Sequence, residues 1–496
     1  MSKHYNQDDS SVFVVIGSGA GGGTLANELA QKGIDVVCLE AGKRLTFGDI
    51  EQDPAVMHGR MSWLDARQGI PVWLCKTVGG TTMRWAAVTP RLMEHEFRSL
   101  STYGQLDDCS LIDWPLSLDE LDPYYLKAEK KMGVTGTHGM PASFEHNNYQ
   151  VMQAGGHKIG YREITSERMA INSVASDGRP ACRQMGFCFS GCKLGAKWST
   201  LYTEVPKAEA TGHFELRTEC MALQIEHDES GKVTAVVYRD GKGEQQRQKA
   251  RGIAVAGNVV ETTRLLRNST STMFPHGLGN SSDQLGRNYM RHMTSIVVAV
   301  MPGKVNMHKG SRQTGVILDE QYHKPERGFA GGYIIEAAAS DPAGMIPFYT
   351  GWGEGAADFM EHYDQQACSF VTGEDPPQPD NRIELHPTDT DENGLPVPVL
   401  KYAMHANTVA MQKHANRQTA AIYESLGGDV RVKTEGAVIG CHNMGTARMS
   451  DKPADGVTNR WGQVHDIPNL FVSDGSLFST SAAPNPTLTI VALAIR

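Results

Sequence analysis

Three groups of residues in this 496-residue sequence have types and spacings that could carry chemistry. Residues 17–22 read Gly-Ser-Gly-Ala-Gly-Gly and match the pattern G-x-G-x-x-G. Three cysteines, Cys182, Cys188 and Cys192, lie within eleven residues, and a C-terminal segment contains His442. A glycine-rich turn can bind phosphates through its backbone N–H groups, and clustered thiolates can bind a soft metal. A histidine can act as a general base near neutral pH.

The glycine pattern lies where a dinucleotide-binding unit would need it. A β-branched and aromatic run, Val12–Ile16, precedes it, and a helical pattern, Thr24–Lys32, follows it. A second apolar run, Val36–Leu39, comes next. Short apolar runs of this kind indicate buried parallel strands. The order of strand, glycine turn, helix and strand therefore predicts a Rossmann-like βαβ unit.

Four residues of this unit have predicted roles in cofactor binding. Gly17 makes the tight turn, Gly19 lets the backbone approach a pyrophosphate, and Gly22 packs the helix against the strand. Glu40 ends the second strand about twenty residues downstream, where an acidic side chain can accept hydrogen bonds from a ribose diol. An isolated glycine pattern is a weak signal, but the complete unit makes an accidental turn a poor explanation. The pattern alone does not distinguish FAD from NAD.

The cysteine group has the spacing C-x5-C-x3-C, with Gly186 and Gly191 between the thiols. Three thiolates this close in sequence can converge on one soft metal centre. They are too few for a closed structural zinc site, which takes four ligands. An iron–sulfur cluster is one interpretation, and buried thiols without a metal are the other. Because the nine cysteines are odd in number and the others lie far apart, a disulfide framework is a poor explanation.

Composition and charge exclude several functional classes. The formal net charge is −9, so the basic footprint of a nucleic-acid-binding protein is absent. No run of about eighteen apolar residues occurs, so no transmembrane helix is predicted. The N-terminal residues MSKHYNQDDS contain no apolar segment, and no signal peptide is predicted. Hydrophobic residues at 40% and 52 glycines indicate a globular protein with many tight turns.

The C-terminal segment carries a series of motifs in fixed order. Residues 441–449 read Cys-His-Asn-Met-Gly-Thr-Ala-Arg-Met, residues 469–476 read Asn-Leu-Phe-Val-Ser-Asp-Gly-Ser, and residues 485–489 read Asn-Pro-Thr-Leu-Thr. This series resembles the C-terminal segment of the glucose–methanol–choline (GMC) oxidoreductase family, and the N-terminal unit fits as well. Further motifs read Asp-Trp-Pro-Leu at residues 113–116, Asn-Ser-Ser-Asp at 280–283 and Gly-Arg-Asn at 286–288. These are most similar to the catalytic subunits of bacterial FAD-dependent glucose, fructose and gluconate dehydrogenases and to pyranose 2-oxidase.

The resemblance implies an FAD-dependent alcohol oxidation with assigned residues. His442 would accept the hydroxyl proton, and Asn485 would hydrogen-bond the same oxygen so that the C–H bond faces flavin N5. His292 and His465 also lie in motif-like surroundings, and we interpret both as structural. Further contacts with the cofactor are implied for Gly79, Gly80 and Thr81 along the isoalloxazine, Ala256 near the adenosine, and Asp474, Gly475 and Thr487 on the flavin side.

The resemblance also bears on how the cofactors are held. In pyranose 2-oxidase a histidine beside the Gly-Gly segment carries the covalent flavin link, and Arg84 stands at the matching place here. A non-covalent FAD is therefore implied. The cysteine spacing matches that of bacterial FAD glucose dehydrogenase catalytic subunits, where a 3Fe–4S cluster carries electrons to a cytochrome. The corresponding expectation is a 3Fe–4S cluster on Cys182, Cys188 and Cys192, with a cytochrome c-type acceptor and a small subunit as partners.

Between about residues 295 and 430 the sequence changes to short apolar runs separated by turns rich in Gly, Pro and Asp. Runs at Ser295–Met301, Gly331–Ile335 and Ile383–Leu385 have strand patterns, and Thr408–Leu426 has a helical pattern. This arrangement suits the antiparallel sheet, backed by helices, that the GMC family places over the flavin.

The expected fold is α/β, with a Rossmann-like FAD-binding domain similar to that of p-hydroxybenzoate hydroxylase and a discontinuous antiparallel-sheet substrate domain. We expect the FAD-binding domain from residues 1–90, 178–294 and 433–496, and the substrate-binding domain with its cap segments from residues 91–177 and 295–432.

The expected function is oxidation of a sugar or polyol hydroxyl, with electrons passed through a 3Fe–4S cluster to an external acceptor. The alternative is an oxidase or dehydrogenase of aliphatic or terpenoid alcohols without a cluster. The location stays open between the cytoplasm and the periplasm, the latter through co-export with a signal-bearing partner.

Overall fold

The computed structural model describes residues 3–61, 72–438 and 442–496. A five-stranded parallel sheet brings the N-terminal unit and the C-terminal segment into one layer. The central strands are buried on both faces, which is why their sequences are continuously apolar. In spatial order the strands are β16 (Leu470–Val472), β8 (Gly252–Val255), β1 (Phe13–Ile16), β2 (Val36–Leu39) and β4 (Phe214–Arg217).

Helix α1 (Ala20–Gln31) begins within the glycine pattern, four residues before the predicted start at Thr24. Glycine is a poor helix former, so the sequence pattern assigned these residues to the turn, whereas packing against the sheet makes them helical. Gly17 has φ +97°, and a Cβ atom there would lie 2.3 Å from the Ala256 carbonyl oxygen. A Cβ atom at Gly22 would lie 2.1 Å from the Gly17 carbonyl oxygen. Only glycine fits at these two positions.

A six-stranded antiparallel sheet forms the second layer. The predicted strands at Ser295–Met301 and Gly331–Ile335 correspond to two of its members, and the predicted strand at Ile383–Leu385 lies within a separate two-stranded ribbon. The long predicted helix is α11 (Ala406–Glu424), which packs against this sheet. In spatial order the six strands are β15 (Asp429–Lys433), β9 (Met293–Val300), β12 (Gln366–Gly373), β11 (Tyr333–Ala338), β10 (Gln313–Ile317) and β3 (Ile164–Ser166).

The remaining elements cover and connect these two sheets. Two small antiparallel sheets consist of β5 (Met221–His227), β6 (Val233–Arg239) and β7 (Gln245–Lys249), and of β13 (Arg382–Thr390) and β14 (Pro396–Lys401). The other helices are α2 (Pro54–Met61), α3 (Glu94–Phe97), α4 (Ser99–Tyr103), α5 (Leu118–Met132), α6 (Asn147–Lys158), α7 (Glu204–Ala210), α8 (Asn258–Asn268), α9 (Pro342–Met345), α10 (Glu354–Glu361) and α12 (Thr487–Ile495).

The C-terminal helix α12 is apolar on nearly every side and packs against α1 and α5. A helix that is apolar all round needs burial, and six of its nine residues are fully buried. Asn485 lies just before the helix and Thr487 is its first residue. Both face the interior between the two large sheets. None of the helices in the described part of the chain is long and apolar enough to cross a membrane.

Candidate active site

A cavity of about 830 Å³ lies between the parallel and the antiparallel sheet. Its volume is in the range of cofactor and substrate sites, roughly 300–1,000 Å³. Most of the residues predicted for the site line its wall. They are Gly17, Gly19, Glu40, Gly80, Thr81, Ala256, His442, Asp474, Gly475, Asn485 and Thr487. Gly22 and Gly79 lie behind this wall, and the three clustered cysteines also lie outside it.

Two glycines form a cradle without side chains at the start of α1. A Cβ atom at Gly19 would project into open space, where its nearest neighbour is the Gly80 Cα atom at 3.9 Å. Gly80 has φ +51°, and a Cβ atom there would come within 3.1 Å of the Gly19 Cα atom. The Gly79 N–H donates to the Ser18 hydroxyl at 3.0 Å and so links the two segments. Side chains here would fill the gap that a pyrophosphate needs at a helix N-terminus, so the cradle fits FAD.

Glu40 lies at the cavity wall beside this cradle. One carboxylate oxygen accepts hydrogen bonds from the Ser18 N–H at 3.0 Å and the Ser18 hydroxyl at 2.7 Å. The other accepts from the Gly42 N–H at 2.8 Å. Burial raises the pKa of Glu40, and these hydrogen bonds counteract the rise. Glu40 thus fixes the turn at Ser18, and its contact with a ribose remains a prediction.

The second predicted cluster of cofactor residues comes from the turn after β16 and from the start of α12. Asp474 is buried and accepts hydrogen bonds from the Thr262 hydroxyl at 2.5 Å and the Ser476 N–H at 2.8 Å. Burial raises its pKa. A Cβ atom at Gly475 would lie 2.6 Å from the Asn443 carbonyl oxygen, so the segment carrying His442 can pack directly on this turn. Thr487 is the first residue of α12 and faces the cavity.

His442 and Asn485 meet at the cavity wall, as their assigned roles require. The His442 Nε2 atom lies 3.5 Å from the Asn485 Nδ2 atom, while His442 Nδ1 lies 3.0 Å from His292 Nδ1. His292 Nε2 lies 3.2 Å from the Ser481 carbonyl oxygen. Cys441, which precedes the histidine in its motif, lies outside the described residues.

These contacts determine the protonation of both histidines. A carbonyl oxygen only accepts, so His292 carries its proton on Nε2 and donates to Ser481. Burial lowers the pKa of His292 to about 4, so its Nδ1 is an unprotonated acceptor. His442 must then donate from Nδ1, which leaves its Nε2 unprotonated and able to accept from the Asn485 amide at 3.5 Å. Burial is the main cause that lowers the pKa of His442 well below its usual value, and electrostatic interaction with His292 lowers it further. His442 is therefore a neutral base whose unprotonated Nε2 lies beside Asn485 at the cavity wall.

The sequence does not indicate that His292 determines which nitrogen of His442 is protonated. The sequence pattern alone favours a purely structural role for His292. The contact joins the residue just before β9 to one in the C-terminal segment, and no spacing rule connects such distant positions. His465 contacts the Ser450 hydroxyl at 3.2 Å and does not line the cavity.

The antiparallel sheet contributes a wall of mixed character. Most of its side chains in the cavity are apolar, and polar groups come from Gln313 and Arg312. The Arg312 guanidinium donates to the Ala339 carbonyl oxygen at 2.8 Å and to the Asp341 carboxylate at 3.1 Å. The apolar members are Ile296, Ala338 and Phe370 of the sheet, together with Met345 and Phe348 of the helical segment that follows β11.

The cysteine loop packs behind the segment that follows Gly80. Cys182, Cys188 and Cys192 are half-buried and free of disulfides. Burial raises the pKa of Cys182, and the electrostatic influence of Cys188 and Cys192 raises it further. The ammonium group of Lys197 donates to the carbonyl oxygens of Met83, Trp85 and Cys188 at 3.0, 3.0 and 2.6 Å. Lys197, which sequence reasoning did not single out, thus ties the loop to the predicted flavin segment.

Arg84, which the sequence predicts to stand where a covalent flavin link would form, is held by several neighbours. Its Nε–H donates to the Phe189 carbonyl oxygen at 3.0 Å, and one terminal nitrogen lies 2.6 Å from His58 Nδ1. The guanidinium also stacks on the Trp73 ring at 4.4 Å from the centroid. Burial lowers its pKa. A guanidinium held in this way lines the cavity and joins the flavin segment to the cysteine loop.

Comparison with known proteins identifies the family. Two profiles described as GMC oxidoreductase match residues 59–294 and 377–494, together more than half of the chain. The chain belongs to the GMC oxidoreductase family. It is 32% identical to 2-methyl-1,2-propanediol dehydrogenase of Mycolicibacterium austroafricanum, over 98% of this chain and 94% of that protein. It is 30% identical to paromamine 6'-oxidase of Streptomyces fradiae, over 99% of this chain and 91% of that protein.

Other GMC proteins are more distant in sequence but similar in length and fold. The fructose dehydrogenase large subunit of Gluconobacter japonicus is 27% identical over 99% of this chain and 97% of its own. Pyridoxine 4-oxidase of Mesorbium loti has a TM-score of 0.69 at 15% identity and covers 98% of both chains. Formate oxidase of Aspergillus oryzae has a TM-score of 0.71 at 13% identity and covers 99% of this chain and 98% of its own.

Family membership confirms several of the predictions made from the sequence. The resemblance to GMC enzymes and the fold class, a parallel Rossmann-like layer with a separate antiparallel sheet, are both confirmed. As a member of the GMC family, this protein is an FAD-dependent oxidoreductase that acts on alcohol or sugar donors.

Proposed function

We propose that this GMC enzyme is a dehydrogenase that oxidises the hydroxyl carbon of a sugar or polyol with His442 as the base. The observation that carries the proposal is the 3.5 Å pair of His442 Nε2 and Asn485 Nδ2 at the wall of a cavity that also contains the dinucleotide cradle. A hydroxyl bound at this pair gives its proton to the unprotonated Nε2 of His442. An N–H of Asn485 donates to the same oxygen and stabilises the charge that develops there.

FAD, when bound, supplies the hydride acceptor for the carbinol carbon. Gly19 and Gly80 would hold its pyrophosphate, and Glu40 and Ala256 the adenosine end. Thr81, Asp474, Gly475 and Thr487 would hold the flavin end, and Gly79 would support that end from behind the cavity wall. We infer a non-covalent FAD because the arginine at position 84 is already committed to its neighbours. The side chains that contact the alcohol then need only to orient it and to remove its proton.

We further propose the division into an FAD-binding domain, residues 1–90, 178–294 and 433–496, and a substrate-binding domain with cap segments, residues 91–177 and 295–432. All five strands of the parallel sheet come from the first set, which supports the division. The antiparallel sheet draws on both sides of the proposed boundaries, since β9 begins at Met293 and β15 ends at Lys433.

The alternative, an enzyme for aliphatic alcohols, is supported by one feature of the cavity. The wall from the antiparallel sheet is largely apolar, and such a surface fits hydrocarbon better than a ring of hydroxyls. The relative from Mycolicibacterium austroafricanum is named for a small diol with a branched hydrocarbon part, whereas that from Gluconobacter japonicus is named for fructose. A small diol satisfies both the apolar wall and the polar His442–Asn485 pair.

We also propose a 3Fe–4S cluster on Cys182, Cys188 and Cys192. The support is the presence of three free thiols in one loop and the contact of that loop, through Lys197, with the segment after Gly80. A buried cation beside the thiols suits an anionic thiolate cluster. A cytochrome c-type acceptor and a small subunit would complete the electron path, and the large-subunit name of the Gluconobacter japonicus relative is consistent with a second subunit. Buried thiols without iron are the competing explanation.

An anaerobic screen of sugars, small diols and longer alkanols tests the proposed function. Each compound is mixed with the FAD-loaded protein, and the flavin absorbance is followed. We expect polyols or small diols to bleach the flavin at micromolar to millimolar concentrations, the usual range of KM values. Bleaching by simple alkanols only would favour the alternative. If no alcohol reduces the flavin, the proposed function is wrong.

The pH dependence of flavin reduction tests the state of His442. Its pKa is lowered well below the usual value of about 6.5, so the base form is already present at neutral pH. The reduction rate constant at saturating alcohol is therefore expected to stay level as the pH falls through 6.5 and to decrease only at more acidic pH. A decrease centred at or above pH 6.5 would show that His442 is not held neutral.

A further inference from the structure

Glu336 is a buried acidic side chain that the proposed reaction does not yet use. It lies in the middle of β11 and has no exposed surface. Neither of its carboxyl oxygens has a well-formed hydrogen bond to any of the described residues. An acidic group buried without partners is strongly unfavourable, so its position needs a reason.

The register of the antiparallel sheet shows which way Glu336 points. Ile296 of β9 pairs with Phe370 of β12, and Phe370 pairs with Glu336 of β11. Residues directly opposite each other on antiparallel strands have side chains on the same face. Ile296 and Phe370 line the cavity, so Glu336 lies on the cavity face of the sheet, one strand further along the row.

On this face the Glu336 carboxyl meets the side-chain amide of Asn485. Burial first, and then electrostatic interaction with Glu167, raise the pKa of Glu336 well above its usual value, while hydrogen bonding to that amide opposes the rise. Because burial dominates, we expect Glu336 to be protonated at neutral pH, with one O–H donor and one carbonyl acceptor. The Asn485 Oδ1 atom is buried and has no well-formed hydrogen bond in the described part of the chain.

We propose that Glu336 is a positioning residue that fixes the orientation of the Asn485 amide. A carboxylic acid and a primary amide carry complementary donors and acceptors. When Glu336 binds one side of the amide, an N–H of Asn485 stays directed to His442 Nε2. The substrate oxygen must bind between this N–H and Nε2. Without Glu336 the amide could turn over and present its carbonyl oxygen to the alcohol. That oxygen would compete for the hydroxyl proton and could not stabilise the developing negative charge.

The inference rests on the proposed function, and three variants test it by anaerobic flavin reduction. The probe is 2-methyl-1,2-propanediol, or another compound of the screen if that compound is faster. Glu336→Leu is expected to lower the reduction rate constant about tenfold, which corresponds to one misplaced hydrogen bond in the transition state. Its dissociation constant for the alcohol should change little, because the effect arises in the transition state. Glu336→Gln should recover the rate to within about threefold of wild type, since an amide keeps a donor and an acceptor.

The matched control is Ile335→Val, at the residue directly before Glu336 in β11. Ile335 is buried on the opposite face of the sheet and has no contact with the cavity. This variant should lower the melting temperature slightly and leave the rate and dissociation constants at their wild-type values. A Glu336→Leu variant as fast as wild type, or a Glu336→Gln variant as slow as Glu336→Leu, would overturn the positioning role.

An infrared spectrum of the substrate-free holoenzyme gives a readout that does not depend on activity. The difference between wild type and Glu336→Gln at neutral pH should contain the carbonyl stretch of one protonated carboxyl group. Absence of this band would contradict a neutral Glu336. If no alcohol reduces the wild-type flavin, the proposed function fails together with the inference. If wild type is reduced but the Glu336 variants match it, only the inference fails.

Discussion

Replacement of His442 by alanine is expected to slow reduction of the flavin by the alcohol about a hundredfold or more, the scale of general-base catalysis. The neighbouring His292 cannot take over, because its Nε2 donates to Ser481 and its pKa is lowered to about 4. The rate constant is measured by rapid anaerobic mixing at saturating alcohol. FAD content should remain at the wild-type level, since the dinucleotide cradle is formed by other residues.

Two further variants make the His442 result specific. Asn485→Ala should have a smaller effect, because it removes a hydrogen-bond donor and leaves the proton acceptor in place. In His465→Ala the alcohol should reduce the flavin at the wild-type rate, since His465 contacts Ser450 and does not line the cavity. A His442→Ala variant that binds FAD and is reduced at nearly the wild-type rate would show that another group takes the proton.

Replacement of Cys188 by serine is expected to separate the two halves of the catalytic cycle. If the three cysteines bind a 3Fe–4S cluster, the anaerobically purified wild-type protein should contain about three iron atoms per FAD. In Cys188→Ser the iron content should fall, and electron transfer to a cytochrome c-type acceptor should decrease steeply. The alcohol should still bleach the flavin, because His442 and Asn485 are untouched. A small dye that reaches the flavin directly should be reduced at close to the wild-type rate.

The matched control is Cys109→Ser, a buried cysteine outside the cluster and outside the cavity lining. It should retain its iron and its rate with the cytochrome acceptor, with at most a loss of stability. Iron-free wild-type protein from an anaerobic purification would contradict the cluster. The thiols would then be structural, and the main support for a cytochrome partner would be lost.

The local parts of the fold could be predicted from the sequence because their signals are local. Gly17 must adopt a positive φ, and Gly22 must allow close packing, so both positions permit only glycine. Apolar runs gave β1, β2 and α11 close to their observed limits. The start of α1 was missed because three glycines argue for a turn by propensity, while their packing against the sheet decides otherwise.

The contacts that tune the site could not be predicted, because they join residues far apart in the chain. His292, Glu336 and Lys197 lie in separate segments of the chain, and each meets its partner only through the tertiary fold. An isolated histidine or glutamate in a strand pattern has no spacing that marks its function. The family motifs located His442 and Asn485, but the neutral state of His442 follows from burial. Which of its nitrogens carries the proton follows from the hydrogen bond that His292 donates to the Ser481 carbonyl oxygen.

The most direct test of alcohol oxidation at His442 and Asn485 uses a substrate deuterated at the carbinol carbon. The rate of flavin bleaching is compared under anaerobic conditions for the deuterated and unlabelled forms of the fastest alcohol from the screen. Hydride transfer from that carbon predicts slower bleaching with the deuterated alcohol, and the same final extent of reduction. Equal rates for the two forms, or no bleaching by any alcohol, would contradict hydride transfer as the step that limits flavin reduction at this site.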